Sequence, residues 1–589
     1  MRFQNRIIQL GLLLIILVPF FALGQDSNLD AIGESAGLFG GDLLSIIGNL
    51  IKIVLGLTGV IFLILIIYAG VLWMTAGGEE KPIEKAKNIL KSATIGLVIT
   101  LSAYAITTFI FNNLLNSGDG FGNGDNGSVY VEKFSNSLGN GAIEDHYPTR
   151  NQTNVYRNTN IVITFKSSLP LDQILKDYND QNTPFDFTDD VPTTEFNADN
   201  FTIYRNADEI PLTAVKVSYT EDLKTFIINP TEYLGSPTED VDYTVQISSK
   251  LQNTDRVGIF VSMNEDGYEW SFQTGTELDL TPPSIESVTP AIGGTYAKNI
   301  ILQITFDEPV DPTSSSGTTD VNGTLVTGFT NIQVIGLTTI PVAGTYALSN
   351  GYQTVTFIPT DPCGVNSCGQ TIMCLPGNQS LITTVLAPTI GATPPQVDSF
   401  PYDGLVDMAA NGFDGNGDGT AGDDYQFSIT TTGDIYLDGA EIETVAPAIL
   451  EGEVSLEQPV NIIFTDVMMS NTLNTTNLTF TNKESTSGLS HEMWYRVNSE
   501  SLAADGTVIG DTDLAPAKTS VLMSHGVFLE SIDPLLYFYN PSVHEGVLNQ
   551  YQNCYLPASG PSQDGGECAV SSLAPFCCNG NPSSDACNL

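Results

Sequence analysis

Apolar and polar positions follow four successive patterns along this chain. The first is "MRFQNRIIQLGLLLIILVPFFALGQ", in which Arg2 and Arg6 precede the apolar stretch Ile7–Phe21, and Ala22 and Gly24 stand at −3 and −1 before Gln25. That order predicts a secretory signal peptide over residues 1–24, with an uncleaved anchor helix as the alternative. The second pattern is a pair of uncharged runs, Ile53–Met74 and Ser92–Phe111. At about 1.5 Å per residue, each reaches across a hydrocarbon layer of about 30 Å, so the pair predicts a two-helix transmembrane hairpin. The competing reading, two buried helices of a soluble domain, suffers from the lack of a polar face on either run. Gly56, Gly59 and Gly70 in the first run, and Gly96, Ala103 and Ala105 in the second, are small enough to let helices approach in lipid. The third pattern is a Gly/Asn/Asp linker, "NSGDGFGNGDNGS" at 116–128, in a connecting region taken as 118–142. Beyond it, short strand-like runs alternate with turn clusters and no long helical period appears.

Those runs repeat. Each repeat opens with an apolar strand: "NIVITF" ending at Phe165, "ILQITF" ending at Phe306, "VNIIF" ending at Phe464. A polar turn such as "DEPVD" (307–311) follows, then an Asn leading alternating residues: "NFTIY" from Asn200, "NIQVI" from Asn331, "NLTFT" from Asn477. The first two repeats continue through "KTFIINP" (224–230) and "QTVTFIP" (353–359). They close with "YEWSFQTG" (268–275) and "YQFSITTTG" (425–433). The third has no recognisable closing strand. "TPPSIESVTP" (281–290) and "ETVAPAI" (443–449) are Pro-rich joints between repeats. The strand density predicts antiparallel β-sandwiches at 143–278, 279–436 and 437–550, followed by a cysteine-rich tail at 551–589. The opening strand, the closing strand and the "TPP/APA" joint resemble the bacterial Ig-like domains of surface-layer and adhesin proteins. The fold class expected is therefore mainly β, tandem Ig-like sandwiches after a signal peptide and a transmembrane hairpin. The resemblance implies a fold and no ligand.

Charge adds topology. The chain carries 67 Asp+Glu against 21 Lys+Arg, a net charge of −46, which argues against nucleic acid as a partner. Against that background, Lys81, Lys85, Lys87 and Lys91 crowd the segment between the two apolar runs, while the outer flanks carry Asp26, Asp30, Glu34, Asp42, Asp119 and Asp125. The positive-inside rule puts the lysine loop in the cytoplasm and both flanks outside. A short helix with a solvated lysine face is compatible with that topology. The residues "YAGVLWMTAGGEEKPIEKAKNILKSATIGLVITLSAYAITTFIF" (68–111) resemble the pilin subunits of type IV secretion and conjugation systems. The resemblance covers about residues 25–117 and implies self-assembly through the transmembrane helices. The expected location is the cytoplasmic membrane, with a large extracytoplasmic, cell-surface region and a surface ligand that the sequence does not identify.

The sharpest local motif is "DGNGDGTAGDDY" at 414–425. Asp414, Asn416 and Asp418 at positions 1, 3 and 5, Gly419 at 6 and Thr420 at 7 match a calcium loop of the EF-hand kind. Position 12 is Tyr425 in place of a bidentate Glu, so Asp423 or Asp424 is the expected source of the last carboxylate. The alternative is an Asp/Asn/Gly hairpin without metal.

The eight cysteines divide into Cys363, Cys368 and Cys374, and Cys554, Cys568, Cys577, Cys578 and Cys587. In an exported compartment they predict disulfides. Groups of three and five pair fully only with one bridge between the groups; otherwise two thiols stay free. Zinc is the alternative, but the tail has no CxxC and no nearby His. Four histidines (His146, His491, His525, His544) form no metalloprotease spacing, and no G-x-S-x-G elbow occurs, so no enzyme is expected. Trp270 and Trp494 are expected as core aromatics.

Overall fold

The computed structural model describes separate positions between 68 and 91. It also describes residues 142–584 apart from 177–195, 261–266, 320–328, 338–339, 399, 487, 489–493, 510–514, 532–534, 557–567, 569–570, 572 and 575. The chain divides into two compact units, Met1–Ser117 and Gly118–Leu589.

In the first unit Tyr68, Ala69, Val71, Leu72 and Met74 are helical, and so are Lys81, Ile83, Lys85, Ala86, Lys87, Ile89 and Lys91. The four lysines are exposed, Ala86 is buried, and Ile83 and Ile89 are partly covered, which is the amphipathic face that helical spacing dictates. The expected signal peptide and the span 92–111 lie outside the described residues, as does most of 53–74. Among the described residues no helix is long and apolar enough to cross a membrane.

The second unit is built of sheets that are antiparallel except where β10 runs parallel to β19. Domain 1 has strands β1 (Ile143–Tyr147), β2 (Ile161–Phe165), β3 (Phe201–Arg205), β4 (Ile210–Pro211), β5 (Val215–Tyr219), β6 (Thr225–Pro230), β7 (Val241–Ile247) and β8 (Tyr268–Thr274). They form sheets β1-β2-β6-β5 and β4-β3-β7-β8, which share one core around Phe165, Phe226, Trp270 and Phe272.

Domain 2 has β9 (Ile285–Thr289), β10 (Thr295–Tyr296), β11 (Leu302–Phe306), β12 (Gly317–Thr319), β13 (Ile332–Ile335), β14 (Gly344–Ser349), β15 (Thr354–Pro359), β16 (Asp361–Val365), β17 (Thr371–Cys374), β18 (Gln379–Val385) and β19 (Tyr425–Thr431). Its sheets are β12-β14-β15-β11-β9 and β10-β19-β18-β13, with a β16–β17 hairpin alongside.

Domain 3 has β20 (Ile442–Ala446), β21 (Val460–Phe464), β22 (Leu478–Glu484), β23 (Tyr495–Leu502), β24 (Lys518–His525) and β25 (Tyr537–Val543), in sheets β20-β21-β24-β23 and β22-β25. Its core includes Val547 and Tyr555 beyond the last strand. A final hairpin pairs β26 (Phe576–Cys578) with β27 (Asn581–Ser583).

The three repeats share a topology. The opening strand lies between an earlier strand of its domain and a return strand in every case: β1-β2-β6, β9-β11-β15 and β20-β21-β24. The closing strands read from sequence are β8 and β19. Domain 3 pairs β22 with β25 alone, with no third strand on that sheet among the described residues.

The opening strands β2 and β11 are buried on both faces for a physical reason. Ile161, Ile163 and Phe165 point into the domain 1 core, while Val162, on the other face of β2, packs with Ile227, Tyr352 and Met408 across the boundary to domain 2. One domain further on, Leu302, Ile304 and Phe306 fill the domain 2 core. Gln303, on the opposite face, is buried against domain 3. Its Nε2 donates to the Met468 carbonyl (3.1 Å) and its Oε1 accepts from the Ser470 N–H (2.6 Å). Domain 3 also touches domain 1, through an Arg496–Asp145 ion pair at 3.5 Å.

Candidate metal centre

The loop that follows Phe413 and leads into β19 folds around one buried carboxylate. Asp414 Oδ1 accepts from the N–H groups of Asn416 (3.2 Å) and Gly417 (2.8 Å), and its Oδ2 accepts from Gly419 N–H (2.6 Å). Gly417 and Gly419 sit at φ of 72° and 84°, the left-handed region that a side chain disfavours. Asn416 Oδ1 then accepts from Asp418 N–H (2.9 Å), and Asp418 Oδ1 from Thr420 N–H (2.9 Å). The turn gathers Asp414, Asp418 and Asp423, each with a carboxylate oxygen within 4.8 Å of the others. Asn416 Nδ2 lies among them, donating to Asp418 Oδ2 (3.3 Å) and Asp423 Oδ2 (3.0 Å).

An all-oxygen set of three carboxylates suits a hard cation such as Ca2+. Of the expected ligands, Asp414, Asn416, Asp418 and Asp423 come together. Thr420 enters through its N–H to Asp418. Asp424 has a different role: its Oδ1 accepts from Ala387 N–H (2.8 Å) and ties the loop to the segment after β18. Asp414 N–H in turn donates to the Pro283 carbonyl (3.0 Å), which anchors the loop on the joint between domains 1 and 2.

That joint and the next follow one plan. Asn158 Nδ2 donates to the Asp279 carbonyl (2.7 Å) and its Oδ1 accepts from Asp279 N–H (2.8 Å). Asn299 makes the same pair of bonds with Tyr436, at 2.7 Å and 2.9 Å. Two residues on, Asn160 N–H donates to the Met408 carbonyl (2.7 Å) and Ile301 N–H to the Gln550 carbonyl (2.9 Å). The acceptors belong to matching hairpins. Asp407 Oδ1 takes the N–H groups of Ala409 and Asn411 in the first, and Asn549 Oδ1 those of Tyr551 and Asn553 in the second. Domain 1 has a third copy, in which Asn253 Oδ1 accepts from Asp255 and Val257. In all three hairpins one residue has positive φ: Arg256, Ala410 and Gln552.

At the first joint the plan gathers acids that the sequence reading missed. Asp279 from the linker, Glu308 from the turn after β11 and Asp407 from the hairpin each place an oxygen within 4.8 Å of the others. Burial, followed by the charges of Asp407 and Asp279, pushes the Glu308 carboxyl up to about 9. Burial also raises Asp407 well above the usual carboxylate range, and raises Asp279. Glu308 was legible only as part of a polar turn, and the three residues are too far apart in sequence for any spacing rule to unite them.

The cysteines form disulfides. Cys363–Cys374 staples the β16–β17 hairpin, Cys568–Cys577 closes the tail, and Cys368–Cys554 is the expected bridge between the two groups. Cys578 is also disulfide-bonded, and Cys587 lies outside the described residues. The zinc alternative falls with these bonds. His146 is structural: it is buried, stacks on Trp270 with ring centroids 4.1 Å apart, and bonds Pro148 and Tyr268.

Residues 39–110 match the family "Type IV secretion system pilin". No curated protein matches the chain. Among solved structures, the chain is similar to the N-terminal part of the bacterial S-layer protein SbsC, at 11% identity and a TM-score of 0.15 over 44% of this chain and 43% of that one. A structure of SbsC domains 1–6 matches at 10% identity and a TM-score of 0.17, over 90% and 68% of the two chains. Dpr2 Ig1-Ig2 in complex with DIP-Theta Ig1-Ig3 matches at 9% identity and a TM-score of 0.12, over 48% and 95%.

Proposed function

We propose that this chain is a membrane-anchored extracytoplasmic surface protein, in which a pilin-like segment holds three β-sandwiches outside the cytoplasmic membrane for a structural or adhesive purpose. The observation that carries this reading is the joining, in one chain, of a pilin-family segment at 39–110 to a disulfide-bonded unit of three sandwiches. Calcium in the 414–424 loop stiffens the end of domain 2, and no catalytic step is assigned. The net charge of −46 argues against nucleic acid as the ligand and leaves the surface ligand open.

The family match also supports a second reading, a subunit of a type IV secretion or conjugation apparatus that assembles through its helices. Electron microscopy of the full-length protein in detergent separates the two. Discrete monomers or small oligomers support the anchor, and filaments or large rings support the apparatus. Single cysteines placed at Lys85 and at Ser128 test the topology. Labelling of the first by an impermeant reagent on intact cells sinks both readings.

A further inference from the structure

We infer that domain 3 takes up an extended strand from another polypeptide, one that is apolar at alternate positions and carries Lys or Arg beside them. The inference concerns this sandwich alone and holds whether the chain anchors or assembles.

Domains 1 and 2 show the slot filled. In domain 1, β8 lies between β7 and the segment at Val155. Val155 N–H donates to the Gln273 carbonyl (3.0 Å), Gly275 N–H to the Val155 carbonyl (2.9 Å) and Arg157 N–H to the Glu277 carbonyl (3.0 Å). In domain 2, β19 lies likewise between β18 and β10. Thr432 N–H donates to the Tyr296 carbonyl (2.8 Å) and Lys298 N–H to the Asp434 carbonyl (3.0 Å). The inward side chains of these closing strands fill the cores: Tyr268, Trp270 and Phe272 in one, Phe427 and Ile429 in the other.

Domain 3 builds both walls of the slot. Phe528 N–H donates to the Leu456 carbonyl (2.9 Å), as Leu234 does to Arg157 (2.7 Å) and Leu375 to Lys298 (2.8 Å), so Leu456 is the counterpart of Arg157 and Lys298. Tyr539 Oη accepts from Leu529 N–H (2.6 Å) as Tyr243 Oη does from Gly235 N–H (2.8 Å), so β25 is the counterpart of β7. Among the described residues Leu456 N–H has no acceptor, and β25 pairs with β22 alone. Ser485 N–H donates to the Leu536 carbonyl (2.8 Å) and His544 N–H to the Asn477 carbonyl (2.9 Å), which fixes the groups that face β22. By antiparallel alternation, Tyr539 and Val543 turn their N–H and C=O to the empty side. Their side chains pack on the core but stay partly exposed, whereas Tyr243 and Ile247 in domain 1, and Leu381 and Val385 in domain 2, are buried at the same register.

The sequence that follows the last hairpin does not fill this slot. "PASGPSQDGGE" (557–567) has no apolar alternation, and Cys568–Cys577 closes the next stretch into a loop. Charge then selects the partner. Glu451, Glu453 and Glu457 on one wall, and Glu530 and Glu545 flanking the other, are exposed. They repel a second copy, itself at −46, and attract a strand bearing Lys or Arg. Pro541 has no N–H to give where Val245 and Thr383 have one, which guards the edge against unselected strands. Recognition falls on alternate side chains that complete the core, spaced as in β8 and β19.

The probe is a fluorescent peptide with the β19 sequence between lysines, KYQFSITTTGK, titrated into full-length protein in detergent. Binding is expected at least tenfold tighter than for a scrambled peptide, and tighter at low salt than for YQFSITTTG without lysines. Amide exchange is expected to slow at Leu456, Tyr539 and Val543. N-methylation of the peptide's Ile removes the N–H aimed at the Tyr539 carbonyl and is expected to weaken binding at least tenfold. Val543→Pro, which removes a donor facing the empty side, is expected to do the same; the methylated peptide carries the test if that variant fails to fold. No binding, or equal binding of parent, scrambled and methylated peptides, overturns the slot. Equal binding without lysines overturns the basic partner. Protection of the same amides in peptide-free protein, growing with its concentration, assigns the slot to a second copy and overturns the partner as stated.

Discussion

Asn158 holds Asp279 by both of its main-chain groups, accepting from its N–H and donating to its carbonyl, and so fixes the linker at the base of domain 2. A single amide satisfies a buried donor and acceptor that have no strand to pair with. Asn158→Ala leaves both unpaired and is expected to cost about 2–3 kcal/mol. Asn299→Ala is expected to do the same at Tyr436. Urea unfolding reads the loss, and faster amide exchange at residues 279 and 436 localises it to the matching joint.

Cys368–Cys554 closes the longest covalent loop among the described disulfides, with a sequence separation of 186. In chain-entropy terms a loop of that length is worth about 5 kcal/mol. Cys368→Ser/Cys554→Ser is expected to lose much of that stability and to separate domain 3 unfolding from domain 2 unfolding. Calorimetry showing one transition split into two checks it.

His146 makes domain 1 sensitive to acid. Burial holds its imidazole well below the ordinary value of 6.5. Nδ1–H donates to the Pro148 carbonyl and Nε2 accepts from Tyr268 Oη, each at 2.9 Å, which fixes the neutral tautomer. Above pH 6.5 folded and unfolded chains are both neutral here, and the contribution is fully present. Below it the unfolded chain takes up a proton that the folded chain refuses, so stability falls by up to about 1.4 kcal/mol per pH unit. His146→Phe removes that slope. The difference between wild type and variant, read by urea unfolding from pH 7.5 to 5, isolates it from the carboxylates.

In the 414–424 loop, Asp418→Ala and Asp423→Ala each remove one exposed carboxylate and leave buried Asp414 in place. Each is expected to weaken calcium binding at the loop at least tenfold while the fold stays unchanged without metal. Asp424→Ala is expected to disturb the loop by releasing Ala387 while contributing no ligand of its own. Terbium luminescence titration distinguishes the two behaviours.

The opening strands β2, β11 and β21 and the closing strands β8 and β19 were legible because their apolar pattern is local. So was the acidic 414–424 loop, whose converging carboxylates lie within ten residues. What escaped depends on distance along the chain. Asp424 was expected as the alternative to Asp423 for the last carboxylate, and its bond from Ala387 N–H, on another strand's exit, lay beyond any local pattern. Strand β24 carries "KTSVLMSH", a mixed run that pairs with β21 only once the sheet exists. The three matching hairpins share little more than an Asn or Asp acceptor and a residue of positive φ three positions after it, too little to mark them in sequence. The acids of the first joint meet only when the linker, a turn and a hairpin have all been folded together.

The bridge from Cys368 to Cys554 also decides how the molecule bears tension. A pull applied between the start of domain 1 and the tail beyond Cys554 passes from one sulfur to the other. It enters domain 2 directly at β16–β17. The six strands of domain 3, with β17, β18 and β19 of domain 2, then lie outside the load path in a covalently closed loop. Stretching the oxidised chain should therefore miss the extension that residues 369–553 would release, and a reductant should restore it.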